Sequence, residues 1–205
     1  MSEITPSQTV GPFFAYGLAP HSRCDWQPSK IYDWKDTVGA DLVTPDASGT
    51  RIRIEGRVLD GDGLPINDAM IEIWQADGQG RYAHPRDDRG ARPNSKFKGF
   101  GRSSTDKAGV YSFDTIKPGS VPGPDGKPQA PHIVVCIFSR GMLRQVYTRI
   151  YFADEAANAV DPILALVPEE RRGTLIAHKG PQGNVSLYTF DIRVQGDNET
   201  VFFDI

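Results

Sequence analysis

From Arg51 onward the chain alternates. In RIRIEGRVLD (51–60), Ile52 and Ile54 oppose Arg51, Arg53 and Glu55. That period of two puts one face of a strand in a core and the other toward water. AMIEIWQA (69–76) repeats it, with Met70, Glu72 and Trp74 on one face and Ile71 and Ile73 on the other. The turn clusters DGDGLP (60–65) and ADGQG (76–80) punctuate the two runs. GFGRSSTDKAGVYSFDTIKPG (99–119) predicts two short strands around a hairpin turn at Asp106–Gly109. PHIVVCIF (131–138) and QVYTRIYF (145–152) predict two more, and NVSLYTFDIRVQG (184–196) with ETVFFDI (199–205) a closing pair. Only VPEERRGTLIAHK (167–179) reads as helix. Pro168 suits a first turn, and Glu169, Glu170 and Lys179 match the helix dipole.

Many short strands with turn signals between them predict an all-β fold, a β-sandwich of mixed or antiparallel strands with a small helical insert. Residues 1–50 lack periodicity and carry Trp26, Tyr32 and Trp34 among scattered prolines. They predict an irregular N-terminal arm on a single domain spanning 1–205, long enough to reach a partner chain.

Composition narrows the picture. A chain of 205 residues can bury one sizeable core. Its 21 glycines and 16 prolines suit strands joined by turns. A net charge of −3 argues against a nucleic-acid binder, which carries a basic face. No apolar run approaches the roughly 18 residues of a membrane helix. The start MSEITPSQTV has neither the basic nor the apolar part of a secretion signal, so a cytoplasmic location is expected. Cys24 and Cys136 form no disulfide framework and no zinc spacing; Cys136, in an apolar run, reads as a small buried hydrophobe.

The candidate chemistry rests on few residues. The histidines are His21 in the arm, His84, His132, and His178 near the end of the predicted helix. Tyr82 and His84, in GQGRYAHPRDD (78–88), would point the same way on an extended segment. A tyrosinate is a strong ligand for a hard ferric ion. His132 opens a strand whose next same-face positions, Val134, Cys136 and Phe138, are apolar. It is either a locally hydrogen-bonded histidine or a metal ligand. Tyr82 and His132 make two ligands, where iron, zinc and copper sites generally use three or more. Ser103 and Ser104 have no histidine motif beside them, and no phosphate loop follows GFGRSS. Arg140 and Arg144 cap the turn SRGMLRQ (139–145) as solvated or functional cations.

Several segments taken together resemble the intradiol ring-cleavage dioxygenases. These are IEIWQADGQGRY (71–82), GFGRSSTDKAGVYSFDTIKPG, APHIVVCIF (130–138), RIYFADE (149–155) and YTFDIRVQGDNETVFFD (188–204). The resemblance implies a β-sandwich enzyme whose non-haem ferric iron is held by two tyrosines and two histidines. Tyr82 matches the first tyrosine and Val121 stands at the second. His132 matches the first histidine, Val134 replaces the second, and Gln129 replaces the family's catalytic arginine. No metal is therefore expected on this chain, Tyr82 and His132 being vestiges of a ligand set.

The opening TPSQTVGPFF (5–14) is similar to the α chains of the family's two-chain enzymes. This implies an α/β hetero-oligomer whose β subunit holds Fe³⁺. The implied reaction is cleavage of protocatechuate by O₂ to 3-carboxy-cis,cis-muconate, with the isolated chain inactive. Thr9, Gly11, Pro12 and Phe13, with Arg140 of the F-x-R-G turn, would complete the partner's pocket. Two other readings stay open. One is a self-sufficient ferric enzyme using Tyr82, His84, His132 and a further ligand such as Tyr147 or Tyr151. The other is a non-enzymatic module that binds aromatic acids.

Overall fold

The computed structural model describes residues 38–45, 47, 49–87, 89, 97–181 and 183–204. Eleven strands are present in it: β1 (Arg51–Leu59), β2 (Met70–Gln75), β3 (Phe100–Ser104), β4 (Val110–Ile116), β5 (Val121–Pro122), β6 (Pro128–Gln129), β7 (His132–Phe138), β8 (Val146–Phe152), β9 (Ile176–Lys179), β10 (Ser186–Thr189) and β11 (Ile192–Arg193). Among the described residues one α-helix, α1, spans Glu169–Arg172. Nine strands join along the path β11-β1-β10-β9-β8-β7-β2-β3, with β4 added to β1; β5 and β6 pair only with each other. The pairing is mixed. β1 runs parallel to β10 and β11, and β8 to β9, while the other pairs are antiparallel.

The alternation read from the sequence sets the core. Ile52 and Ile54 of β1, Ile71 and Ile73 of β2, and Ile133, Val135 and Ile137 of β7 are all at most 1% exposed. Tyr111, Phe113, Ile150 and Phe152 complete the same cluster from β4 and β8. Each fully buried side chain of this size contributes roughly 1.5–3 kcal/mol. The two layers, β3-β2-β7-β8 and the strands around β1, face each other across this cluster. The all-β sandwich expected from the sequence is the fold observed.

Four local readings are corrected. The turn at Asp106–Gly109 forms: Asp106 Oδ1 accepts the amides of Ala108 and Val110, and Gly109 takes φ 73°, which suits glycine. The strands beside it do not make a hairpin, because β3 pairs with β2 and β4 with β1, so the turn carries the chain from one layer to the other.

The predicted helix stops at Arg172. A 3₁₀ turn at Gly173–Leu175 follows, and β9 then carries His178 and Lys179 as strand residues. Gly173 weakens the helix, and the sheet gains more from Leu175 and Ala177, both 0% exposed, with Ala177 pairing Phe152. ETVFFDI adds one bridge rather than a strand. Along β8, β9 reaches only Tyr151 and Phe152, so the Tyr147 carbonyl stays open and accepts the Phe203 amide at 2.8 Å. Finally, GPDGKPQ (123–129) closes an unpredicted hairpin in which Val121 lies opposite Gln129.

The described end of the arm packs on its own domain. Asp41 bridges Asp114, and Leu42, 6% exposed, enters the core. Trp26, Tyr32 and Trp34 lie outside the described residues. Among those described, no helix is long and apolar enough to cross a membrane.

Candidate functional site

The outer face of the layer β3-β2-β7-β8 carries the site. Residues in register on neighbouring strands share a face. Trp74, Val134 and Arg149 therefore form one row across β2, β7 and β8, and His132 sits beside Tyr151 in the next. The isoleucines between these positions point into the core, so the alternation that builds the core also fixes which side chains line this face.

Arg149 is the centre of the arrangement. Its Nη1 donates to Gln129 Oε1 at 2.7 Å and lies 3.4 Å from the Tyr151 hydroxyl. Its guanidinium carbon is 5.9 Å from the Phe203 ring centroid. Gln129 Nε2 donates to the Pro122 carbonyl at 3.1 Å, and Gln129 lies opposite Val121. Tyr82 stacks on Trp74 with ring centroids 5.9 Å apart and planes at 9°. The positions singled out by family resemblance, Tyr82, Val121, Gln129, His132 and Val134, thus gather around Arg149, which opens the segment RIYFADE but was given no role by the sequence.

The electrostatics follow from burial next to that cation. His132 is 4% exposed, and its Nδ1 lies 2.8 Å from the Ala130 carbonyl. A carbonyl only accepts, so Nδ1 carries the proton of the neutral ring. Burial first, and the Arg149 charge second, bring the imidazole down to about 4. Burial likewise raises the Tyr82 phenol, against the opposing pull of Arg149 and Arg89. Tyr151 is raised by burial too, again with Arg149 opposing.

Beneath them Asp161, 1% exposed, accepts hydrogen bonds from the amides of Ala130 (2.7 Å), Ile163 (2.9 Å) and Leu164 (2.7 Å) and from the Tyr151 hydroxyl (3.1 Å). Imidazole and phenols are neutral at pH 7, and Arg149 stands among them charged.

These residues do not fit a ferric ion. Val121 and Val134 offer no donor atom, and a guanidinium brings positive charge to the point where the positions converge. Among the described residues no three His, Cys, Asp or Glu side chains come together as a metal group.

Beside Tyr82 opens a cleft of about 640 Å³, lined by Trp74, Tyr82, His84, Arg86, Asp87, Arg89 and Pro122. The expectation of an extended segment at Tyr82–His84 is corrected here. A turn bonds the Asp87 amide to the His84 carbonyl and the Arg86 amide to His84 Nδ1. Both side chains still reach the same cleft, with His84 exposed at its mouth. The Tyr151 hydroxyl is taken by Asp161 and Arg149, and that of Tyr147 accepts from Gln145. Cys136 is 8% exposed and its thiol is pushed up to about 12, chiefly by burial and then by Glu72, which leaves it unreactive.

Arg140 lies elsewhere, at the opposite end of β7 from His132. Its Nε pairs with Asp68 at 2.8 Å while the side chain stays 73% exposed. Thr9, Gly11, Pro12 and Phe13 lie outside the described residues. Arg149 and Asp161 were missed from sequence. The available signal for Arg149 was its outward position on β8, a charge placed across from apolar Val134; for Asp161 the sequence held none.

A dioxygenase family model matches residues 33–196. The α chain of protocatechuate 3,4-dioxygenase from Burkholderia cepacia is 45% identical over 205 residues, 98% of this chain and 97% of the relative. The β chain of protocatechuate 3,4-dioxygenase from the same organism is 37% identical over 158 residues, 74% of this chain and 67% of that one. Among solved structures, the dioxygenase domain of a dioxygenase–carbohydrate-binding fusion from Streptomyces sp. SirexAA-E shares the fold. Its TM-score is 0.59 at 23% identity, covering 95% of this chain and 99% of the other.

Proposed function

The chain belongs to the intradiol ring-cleavage dioxygenase family, and from that premise we propose that it is the α subunit of a protocatechuate 3,4-dioxygenase. It assembles with a β subunit that holds the ferric iron the family uses. Together they cleave protocatechuate with O₂ to 3-carboxy-cis,cis-muconate. One observation carries this reading: the similarity to an α chain spans 97% of that relative at 45% identity, while the β-chain match spans 67% at 37%. The guanidinium at the centre of this chain's own site agrees with a division of labour in which the partner supplies the metal.

In this reading the iron supplies the activation of the catechol and oxygen, and the α chain binds and orients. Gly11 lets the backbone of the arm approach the aromatic ring, Pro12 stiffens it, and Thr9 and Phe13 complete the wall. Arg140 attracts the substrate carboxylate. β7 runs six residues from His132 to Phe138, roughly 20 Å at strand rise, and Arg140 lies two residues beyond its end, so it faces a pocket other than the one around Arg149. Asp68 fixes its Nε, which leaves the terminal amino groups to meet a carboxylate.

The test is expression with and without the β subunit. Alone, the chain is expected to carry no stoichiometric iron and to cleave no protocatechuate; with the β subunit, both appear. Stoichiometric ferric iron with ring cleavage by the isolated chain would overturn the reading. In the assembled enzyme, Arg140→Gln should raise KM roughly tenfold through lost attraction of the anionic substrate, with iron content and kcat unchanged. An unaltered KM would remove Arg140 from the pocket.

A further inference from the structure

Two explanations compete for why this site would refuse a metal. The first is the loss of donors at Val121 and Val134. The second lies in what is present. Arg149 projects onto the outer face directly opposite Val134, and its guanidinium is hydrogen-bonded to Gln129, itself opposite Val121. Both lost-ligand positions therefore adjoin Arg149 by one cross-strand step or one hydrogen bond.

The guanidinium is also held firmly. Gln129 is anchored by Pro122, the Tyr151 hydroxyl near Arg149 is anchored by Asp161, and the Phe203 ring lies against the guanidinium from the C-terminal segment. A side chain fixed on three sides cannot swing clear as an exposed arginine would, and it cannot lose its proton. A trivalent cation entering beside it would meet a fixed like charge in a partly desolvated site, where repulsion is least screened.

We infer that Arg149 is a resident cation that takes the metal's place, and that it, rather than the missing donors alone, closes this site to iron. The inference rests on the α-subunit reading above and goes one step further. It says that a donor set rebuilt around Arg149 stays empty.

The experiment compares full-length chains expressed without a β subunit. The readouts are iron content and the visible absorption of a tyrosinate bound to iron. Wild type settles the underlying reading: stoichiometric iron there overturns the proposed function and says nothing about rebuilt sites. Val121→Tyr with Val134→His restores the donors and is expected to remain iron-free. Adding Arg149→Gln to that pair should raise iron affinity at least roughly 100-fold, to near-stoichiometric binding with colour. Adding Arg149→Lys instead, which keeps the charge, should not.

Iron uptake with Arg149 in place, uptake with lysine equal to that with glutamine, or no uptake by any rebuilt chain each overturns the inference. Val121 is 4% exposed, and circular dichroism reports whether the chain folds around the larger tyrosine. Where it does not, Val134→His, with and without Arg149→Gln, is read with zinc, for which Tyr82, His132 and the new histidine form a three-donor set. Zinc bound only after Arg149 is removed supports the inference; equal binding or none overturns it.

Discussion

Replacing Asp161 with alanine will destabilise the protein by about 4 kcal/mol or more. The carboxylate is 1% exposed and receives four hydrogen bonds, from the amides of Ala130, Ile163 and Leu164 and from the Tyr151 hydroxyl. Alanine leaves three of those donors, on Ala130, Leu164 and Tyr151, buried without that acceptor, and each such group costs roughly 1–3 kcal/mol. The cavity left by the carboxylate adds to this.

The damage is placed where it matters. Ala130 leads into His132, Tyr151 lies beside Arg149, and Leu164 packs with Ala130 and Tyr151 in one buried cluster. For a chain of this size the change corresponds to a fall in melting temperature of about 8–16 °C. Asp161→Asn keeps the volume but turns one acceptor into a donor facing amide hydrogens, so it should recover only part of the loss. Thermal and urea unfolding of the two variants decide the matter; a change below about 1 kcal/mol in Asp161→Ala would mean that the carboxylate is not the tie described.

Which features could be read from the chain, and which could not, has a physical pattern. β1 and β2 were legible because each alternates on a period of two with one face in the core, and β7 and β8 because short runs rich in apolar and β-branched residues are bounded by turn signals. β9 was not, because IAHK is too short to alternate visibly, and the proline and paired glutamates before it are true helix signals that govern only four residues. The segment after Glu199 is rich in β-formers, yet its conformation depends on the edge of β8 left open by short β9.

The site divides the same way. Tyr82 and His132 sit in motifs that sequence can show. Arg149 lies in TRIYF, where a charged residue at an outward position normally means solvent. Its role appears only once the register places it across from Val134 and the β5–β6 hairpin delivers Gln129. Asp161 follows a 3₁₀ turn and has the composition of a loop; its burial is a tertiary fact.

His132 gives the protein a weak acid limb. The imidazole falls from its ordinary value of 6.5 to about 4, through burial first and the Arg149 charge second. The folded state thus favours the neutral ring, while the unfolded chain takes up a proton at the ordinary value. Between pH 6.5 and 4 the unfolded state binds more protons, so stability rises with pH across that window. The contribution is complete above 6.5 and is lost as pH falls toward 4, with a full amplitude of about 3 kcal/mol at 1.36 kcal/mol per pH unit.

Asp154 does not confuse the measurement. Burial pushes its carboxyl up, but hydrogen bonds from Lys117, Tyr188 and Lys179 outweigh this and bring it from 3.8 to about 2, so its own contribution is lost only at lower pH. Urea unfolding of wild type and His132→Gln at pH 7.5 and 4.5 isolates the histidine. Wild type should lose about 2–3 kcal/mol more than the variant between the two conditions. If the two lose equal amounts, His132 does not sit neutral beside the guanidinium, and the electrostatic account of the site fails with it.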